Sequence, residues 1–175
     1  VLDLAVYIPA IAPCFERVQA FPSEGIWGEI GNAVKIRPSA FISYPWNLTV
    51  GEGTFIGDHV HIDSLTRVSV GAHVSLSNYV YIASGTHDYK VPSFDLVLRP
   101  VTIEDQCWLA IQTTVLPGVT MSKGCVVGAR SLVTRNVPEN EVWAGTPARF
   151  MSKEREGESD VIRSDHVFPV HYFLK

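Results

Sequence analysis

An aliphatic residue returns at every sixth position along most of this chain. Fifteen positions follow the period, and every one is Ile, Leu, Val or Met. They are Ile30, Ile36, Ile42, Val50, Ile56, Ile62, Val70, Leu76, Ile82, Ile103, Leu109, Val115, Met121, Val127 and Val133. The position four residues after each of them is small or β-branched, with Trp46 as the exception. A period of six is neither the 3.6-residue period of a helix nor the alternation of a sheet packed on one face.

This period predicts an all-β fold, a parallel β-helix shaped as a triangular prism. A short strand, a corner and another short strand repeat, and three such units close a coil of about eighteen residues. The aliphatic residues point into the prism, and the small residues let the backbone turn. The steps from Ile42 to Val50 and from Ile62 to Val70 are eight, so two coils hold extra residues at one corner. Glycines after the aliphatic position, such as Gly51, are expected to supply positive φ.

The repeat breaks once, between Ile82 and Ile103. The break predicts a loop extruded from the prism over about residues 87–100, and loops of this length in compact domains are usually functional. It opens with His87, within the sequence SGTHDY. A lone loop histidine is most often simply exposed, but this one stands at the interruption of the scaffold. Because imidazole titrates near neutral pH, His87 is the leading candidate for a general base.

Composition narrows the class of protein. The chain has 175 residues, of which 46% are hydrophobic and 18% charged, and this argues against a disordered chain. The net charge of −4 makes nucleic acid a poor partner. No apolar run has transmembrane length, and the N-terminal VLDLAVYIPAIAP lacks the basic leader of a signal peptide. Three cysteines without framework spacing favour a reducing compartment, so we expect a cytoplasmic protein.

The period also divides the chain into three parts. Residues 1–29 have no six-residue register and are expected to cap the first coil. Residues 30–138 form the predicted β-helix, with its loop at 87–100. Residues 139–175 form a C-terminal segment, whose tail is either disordered or packed on a neighbour. Cys107 and Cys125 fall at the same corner of successive coils, where we expect them to be stacked small residues rather than nucleophiles.

Several motifs resemble a known family. The stretches YPWNLTVGEGTFIGDHVHID, SGTHDY, LPGVT, VVGARSLVTRNVP and AGTPAR resemble the hexapeptide-repeat, or left-handed β-helix, acyltransferases. Within that family they look closest to colanic-acid-type sugar O-acetyltransferases, and the galactoside and maltose acetyltransferases are also similar. The resemblance implies a homotrimer with each active site at the junction of two subunits. It also implies acetyl-CoA as donor, a hydroxyl of a sugar or polysaccharide precursor as acceptor, and no metal.

The resemblance assigns roles to individual residues. His87 would be the general base that promotes direct attack on the thioester. Its orienting partner stays open among Asp63, Asn78 and Asp88, because the asparagine that relatives place near the base falls on Gly57. The residues implied for coenzyme binding are Trp108, Ala110, Ile111, Ala129, Thr134, Arg135, Arg149 and Lys153. Tyr89 and Phe94 either stack on a sugar or anchor the loop, and Trp108 has trimer contact as its alternative.

Three rival functions use the same scaffold. An N-acyltransferase of an amino sugar would differ only in acceptor-selecting loops. A zinc enzyme like the γ-carbonic anhydrases would need a second histidine soon after His87, where this chain reads DYKVPSF. A non-catalytic scaffold would have no need of both the histidine loop and the basic C-terminal segment. His59 and His61, on alternate positions of HVHID, are interpreted as surface or trimer-contact residues.

Overall fold

The computed structural model describes residues 5–6 and 28–153. Their coils form three sheets around one hydrophobic core, and the coil strands pair in parallel, so the predicted parallel β-helix is confirmed. Each complete coil contributes one strand to each sheet. Strands one coil apart pair in parallel, with Lys35 opposite Phe55 and Phe41 opposite His61.

Sheet I contains β1 (Ala5–Val6), β3 (Phe41–Ser43), β6 (His61–Asp63), β9 (Tyr81–Ala83), β14 (Thr114–Val115) and β17 (Leu132–Val133). Sheet II contains β4 (Leu48–Val50), β7 (Val68–Val70), β12 (Val101–Ile103) and β15 (Thr120–Met121). Sheet III contains β2 (Lys35–Ile36), β5 (Phe55–Ile56), β8 (Ser75–Leu76), β13 (Trp108–Leu109), β16 (Val126–Val127), β18 (Glu141–Ala144) and β19 (Arg149–Lys153). A single 3₁₀ turn, η1 (Pro45–Asn47), is found within the described ranges.

The aliphatic positions of the repeat form the core. Thirteen of the fifteen are buried, and Ile30 and Ile36 are partly buried and pack against that core. Leu76 and Leu109 stack directly, because their strands pair in register. Burial of such side chains stabilises the fold by roughly 1.5–3 kcal/mol each relative to exposure. The six-residue period therefore identified the interior of the prism correctly.

The second inward position is shifted at one corner. In the coils with extra residues the position four after the aliphatic residue is not inward, because Trp46 and Thr86 are exposed and Thr66 is only partly buried. The inward residues are instead Leu48, Val68 and Val101, each fully buried. The expectation was wrong at these three sites because the insertion precedes the inward residue rather than following it.

The glycines after the aliphatic position are required for a different reason from the one expected. Gly51 and Gly71 do not have positive φ. A Cβ on Gly51 would lie 2.4 Å from the backbone nitrogen of Ala72, and one on Gly71 would lie 2.4 Å from Asp105 Oδ1. Close approach of the next coil therefore excludes a side chain. Positive φ at the corner between sheets III and I is found at non-glycine residues, namely His59, Tyr79, Gln112 and Arg130.

The interruption of the repeat forms a β-hairpin, which we call the arm. Strand β10 (Gly85–His87) pairs antiparallel with β11 (Leu96–Leu98), and His87 lies opposite Leu96. The base of the arm is close to neighbouring coils: a Cβ on Gly85 would meet Leu65, and one on Gly118 would meet Arg99. The loop expected at 87–100 is therefore an ordered hairpin that leaves the corner between sheets I and II.

The ends of the described chain extend the sheets. Strand β18 pairs in parallel with β16, so sheet III continues beyond residue 138, and β19 then pairs antiparallel with β18. Strand β1 pairs antiparallel with β3 at the other end of sheet I. Most of the predicted cap and the tail from residue 154 lie outside the described residues. Within the described ranges, no helix has the length and apolarity needed to cross a membrane.

Candidate active site

His87 is exposed on the arm, with its imidazole held by one residue. Its Nδ1 lies 2.7 Å from the carbonyl oxygen of Phe94. The Phe94 ring stacks on the imidazole, with ring centroids 4.4 Å apart and planes 5° apart. The antiparallel ladder of the arm and its closing turn bring the two residues together, although seven positions separate them in the chain.

The side chains considered as partners for His87 make other contacts. Asn78 Oδ1 accepts a hydrogen bond from the Asp58 backbone N–H at 2.9 Å, and Asp88 Oδ1 accepts one from the Lys90 N–H at 2.9 Å. Asp63 lies in β6, two residues from His61. Among residues 28–153, none of the three hydrogen-bonds to His87. The Phe94 carbonyl occupies Nδ1 instead, and sequence reasoning missed it because a main-chain acceptor has no residue signature.

Four coenzyme-binding candidates meet along one edge of the prism, which we call the Trp108 edge: Trp108, Ala110, Ile111 and Ala129. The Trp108 side chain is 41% exposed, and its Nε1 donates to Ser77 Oγ at 3.1 Å. Ala110 and Ile111 follow at the corner between sheets III and I, and Ala129 takes the equivalent corner one coil later. The exposed Trp108 and Ile111 side chains give this edge an apolar surface.

Two backbone N–H groups along this edge are already hydrogen-bonded to the next coil. The family resemblance implies oxyanion donors among the N–H groups of residues 108–111. However, the Trp108 N–H donates to the Cys125 carbonyl at 3.0 Å, and the Ala110 N–H donates to the Val127 carbonyl at 2.9 Å. These two groups belong to the coil ladder, so they are not free to stabilise a substrate oxyanion.

The remaining candidates lie at other places on the surface. Thr134 and Arg135 follow β17 at the corner between sheets I and II, and the arm leaves the same corner two coils earlier, after β9. We call His87, Thr134 and Arg135 the arm corner. Arg149 and Lys153 are the exposed ends of β19, at the edge of sheet III. Within one chain, sheet I therefore separates the arm corner from the Trp108 edge.

An aromatic column covers the outer face of sheet I between these two groups. Phe41, His61 and Tyr81 are neighbours on successive coils, with centroids 4.7 Å and 4.9 Å apart and edge-to-face geometry. Burial lowers the pKa of His61, and the charge of Asp63 partly opposes that shift. Burial also raises the pKa of Tyr81, and Asp63 adds to it. Sequence reasoning missed Phe41 and Tyr81, although all three residues directly precede an inward aliphatic position.

An ion pair anchors the adjacent corner. Burial by itself raises the pKa of Asp58, but hydrogen bonds from Ser39 and Arg37 outweigh it and leave that pKa lowered. The Arg37 Nε–Asp58 Oδ2 distance is 3.0 Å. His59, next in the chain, stacks on Tyr79 with centroids 4.9 Å apart. These contacts join adjacent coils beside the aromatic column.

Cys107 and Cys125 are stacked in the interior, as their spacing predicted. Both are buried, and their Sγ atoms lie 3.4 Å apart. The hydrogen bond with Cys107, together with burial, raises the pKa of the Cys125 thiol. Both thiols are buried away from solvent, and a buried structural cysteine is inert as a nucleophile. The pair therefore packs the corner.

Two open grooves on the described part of the chain lie away from the arm. A groove of about 470 Å³ lies beside the Trp108 edge and is lined by Tyr79, Gln112, Arg130 and Thr146. A larger groove of about 620 Å³ runs over sheet II, past Thr49, Ser69 and Thr102. No cluster of three or more His, Cys, Asp or Glu residues able to hold a metal ion occurs in the described part of the chain.

Curated proteins align with most of this chain. No family model matches it. The putative colanic acid biosynthesis acetyltransferase WcaF of Escherichia coli K12 is 40% identical over 142 residues, which cover 81% of this chain and 78% of that protein. The galactoside O-acetyltransferase of Lactococcus lactis is 34% identical over 148 residues, covering 81% and 69%. A solved galactoside acetyltransferase in complex with coenzyme A superposes with a TM-score of 0.68 at 25% identity, covering 71% of this chain and 64% of that one.

The sequence relatives are acetyltransferases, and the solved structure shares the architecture. The parallel coils described above are therefore those of a left-handed β-helix. The chain belongs to the hexapeptide-repeat acetyltransferase family.

Proposed function

We propose that this protein is an acetyl-CoA-dependent O-acetyltransferase that acetylates a hydroxyl of a sugar or polysaccharide precursor, with His87 as the general base. The observation that carries the proposal is the contact between His87 Nδ1 and the Phe94 carbonyl, at 2.7 Å on an exposed arm. It leaves Nε2 as the free ring nitrogen. The names of the relatives, a colanic acid acetyltransferase and a galactoside O-acetyltransferase, support the reaction class and a sugar-related acceptor.

The chemistry follows from the tautomer of His87. A carbonyl oxygen can only accept a hydrogen bond, so Nδ1 carries a proton, and in the neutral imidazole Nε2 is then the nitrogen that keeps its lone pair. Nε2 takes the proton of the acceptor hydroxyl while that oxygen forms a bond to the thioester carbonyl carbon. The carbon–sulfur bond then breaks, and His87 returns the proton to the departing thiolate. The products are the O-acetyl ester and coenzyme A, with no covalent enzyme intermediate.

The Trp108 edge is the proposed site of the donor. The exposed Trp108 and Ile111 side chains offer an apolar surface to the thioester end of acetyl-CoA. Phosphate groups need cations, and Arg135, Arg149 and Lys153 are exposed and lie near the C-terminal end of the described chain. Ala110 and Ala129 are small residues along this edge, and Thr134 is the small residue that the arm corner contributes to the proposed donor site.

A homotrimer accounts for the separation of the two groups of residues. One prism places the arm corner and the Trp108 edge on opposite sides of sheet I. We propose that the arm corner of one subunit meets the Trp108 edge of the next, so that each site is shared. The aromatic column of Phe41, His61 and Tyr81 would then lie between subunits, where partly buried aromatic surface is stabilising.

The proposal can be tested by calorimetric titration of the purified protein with coenzyme A, together with zinc analysis of the same sample. We expect micromolar affinity at about one site per chain, without stoichiometric zinc. Acetylation of a hydroxyl glycoside, but not of its amino-sugar analogue, would then separate O- from N-transfer. Absence of coenzyme binding together with one zinc per chain would overturn the proposal in favour of a γ-carbonic-anhydrase-like enzyme.

The shared site makes a separate prediction about assembly. We expect solution scattering at micromolar concentration to give the mass of a trimer. The reason is that His87 and the Trp108 edge cannot face one another within one prism. A monomer that nevertheless transfers acetyl groups would contradict the shared site while leaving the reaction itself in place.

We place the reaction in the cytoplasm, where acetyl-CoA and reduced cysteines such as Cys107 are expected.

A further inference from the structure

We propose that Phe94 is the positioning residue of His87, and that it acts through both its main-chain carbonyl and its ring. This inference rests on the proposed role of His87 as general base. It gives Phe94 a function different from sugar stacking, which the sequence had left open. Phe94 touches the base rather than the reacting atoms, so its effect passes through the imidazole.

The carbonyl selects the tautomer of the neutral ring. At 2.7 Å the Phe94 oxygen accepts a hydrogen bond from Nδ1–H, which makes Nε2 the unprotonated nitrogen of the neutral ring and directs it away from that contact. An imidazole without this partner divides between two neutral tautomers, and only one of them can take a proton at Nε2. Side-chain carboxylates often fix the tautomer of a catalytic histidine. Here a main-chain oxygen takes that place.

The backbone at Phe94 is in an unfavourable conformation. Its φ is 50°, in the left-handed region, where a bulky side chain is an outlier. The Phe94 N–H donates to the Val91 carbonyl at 3.0 Å, and the Asp88 N–H donates to the Asp95 carbonyl at 2.9 Å. These two bonds hold the turn that reverses the chain and returns the Phe94 carbonyl to His87. Strain of this kind persists where the surrounding structure over-determines it, commonly at functional sites.

The ring supplies the second constraint. It lies parallel to the imidazole at a centroid distance of 4.4 Å, although 56% of Phe94 remains exposed to solvent. The stacked face prevents rotation of the imidazole out of the plane that aims Nε2. Because that face is occupied by His87, it is not available to a sugar ring. The contact with His87 therefore explains why an aromatic ring stands at this exposed position.

Three substitutions separate the ring from the carbonyl. Phe94→Tyr keeps the aromatic ring and the left-handed backbone that places the carbonyl. Phe94→Gly keeps that backbone conformation but removes the ring. Phe94→Val removes the ring and also disfavours the left-handed conformation. We expect near-normal kcat for Phe94→Tyr, a loss of about tenfold for Phe94→Gly and a larger loss for Phe94→Val, with both KM values within about twofold. Leu98→Val places a β-branched residue elsewhere on the arm and should leave kcat unchanged.

A readout without substrate distinguishes this inference from the proposed function. Nitrogen-15 NMR of the His87 imidazole should show the Nδ1–H tautomer in the wild type, Phe94→Tyr and Phe94→Gly, and a mixture in Phe94→Val. An unchanged tautomer in a folded Phe94→Val protein would overturn the role of the carbonyl. A raised acceptor KM with unchanged kcat in Phe94→Gly would instead make the ring an acceptor platform. If the wild type transfers no acetyl group, the proposed function fails, while the tautomer still decides the role of Phe94.

Discussion

Replacing His87 with asparagine is expected to lower kcat by about a hundredfold or more, while the affinity for coenzyme A changes by less than about twofold. The asparagine amide can still donate a hydrogen bond to the Phe94 carbonyl, so the arm should keep its conformation. It has no lone pair that can take a proton near neutral pH. The side chains proposed to bind the donor, at the Trp108 edge and at Thr134 and Arg135, are not changed by this substitution. Steady-state kinetics and calorimetry on the same protein measure the two quantities.

His73→Asn is a matched control for this substitution. His73 is also exposed, but it lies at the corner between sheets II and III and has a φ of 55°. Asparagine tolerates the left-handed conformation, so the control adds little strain. We expect wild-type kinetics from it. Near-normal turnover in His87→Asn would remove His87 from the mechanism, and an equal loss in both variants would indicate a general effect on the fold.

Replacing Leu109 with alanine is expected to lower the free energy of unfolding by roughly 2–5 kcal/mol. The Leu109 side chain is fully buried in the middle of the prism, between Leu76 on one coil and Val127 on the next. Both neighbours are held by parallel strands, so the coils cannot collapse into the space that the truncation leaves. Denaturant unfolding gives the change, provided that the protein concentration is constant, because assembly contributes to apparent stability.

Leu98→Ala removes the same atoms from an exposed position on the arm. Leu98 is 45% exposed, and we expect a change within about 0.5 kcal/mol. The difference between the two leucine variants measures what burial at the six-residue positions contributes. Comparable losses at both sites would show that the arm is as important to stability as the interior. A changed denaturant slope would show that the solenoid unfolds in parts.

Sequence reasoning was most accurate where the backbone repeats. Because each coil has the same path, one inward position recurs every six residues, and positions such as Leu76 and Leu109 could be identified without coordinates. The stacking of Cys107 on Cys125 was predicted from the same repeat, because the two residues are one coil apart. The reasoning was wrong where the path changes. Leu48 is inward in place of Trp46, because the period does not say on which side of the corner an insertion falls.

Glycine shows a second limit of the same kind. A glycine at a repeated position indicates that a side chain is not tolerated there. Either a positive φ or the close approach of a neighbouring coil can be the cause, and the sequence does not distinguish them. Gly51 proved to be a case of close approach to Ala72, and the left-handed positions at the corner between sheets III and I carry residues such as Tyr79 instead. Only the distance between coils separates the two causes, and that distance depends on stacking.

The sequence by itself determined the solenoid, its core positions and the interruption that presents His87, because periodic side-chain chemistry reports directly on a periodic backbone. Tertiary structure alone decided that the interruption is a hairpin and that the Phe94 carbonyl holds Nδ1 of His87. It also decided that the Trp108 edge and the arm lie at different corners. The physical reason is that a carbonyl oxygen belongs to every residue, so its role depends on where the folded chain places it.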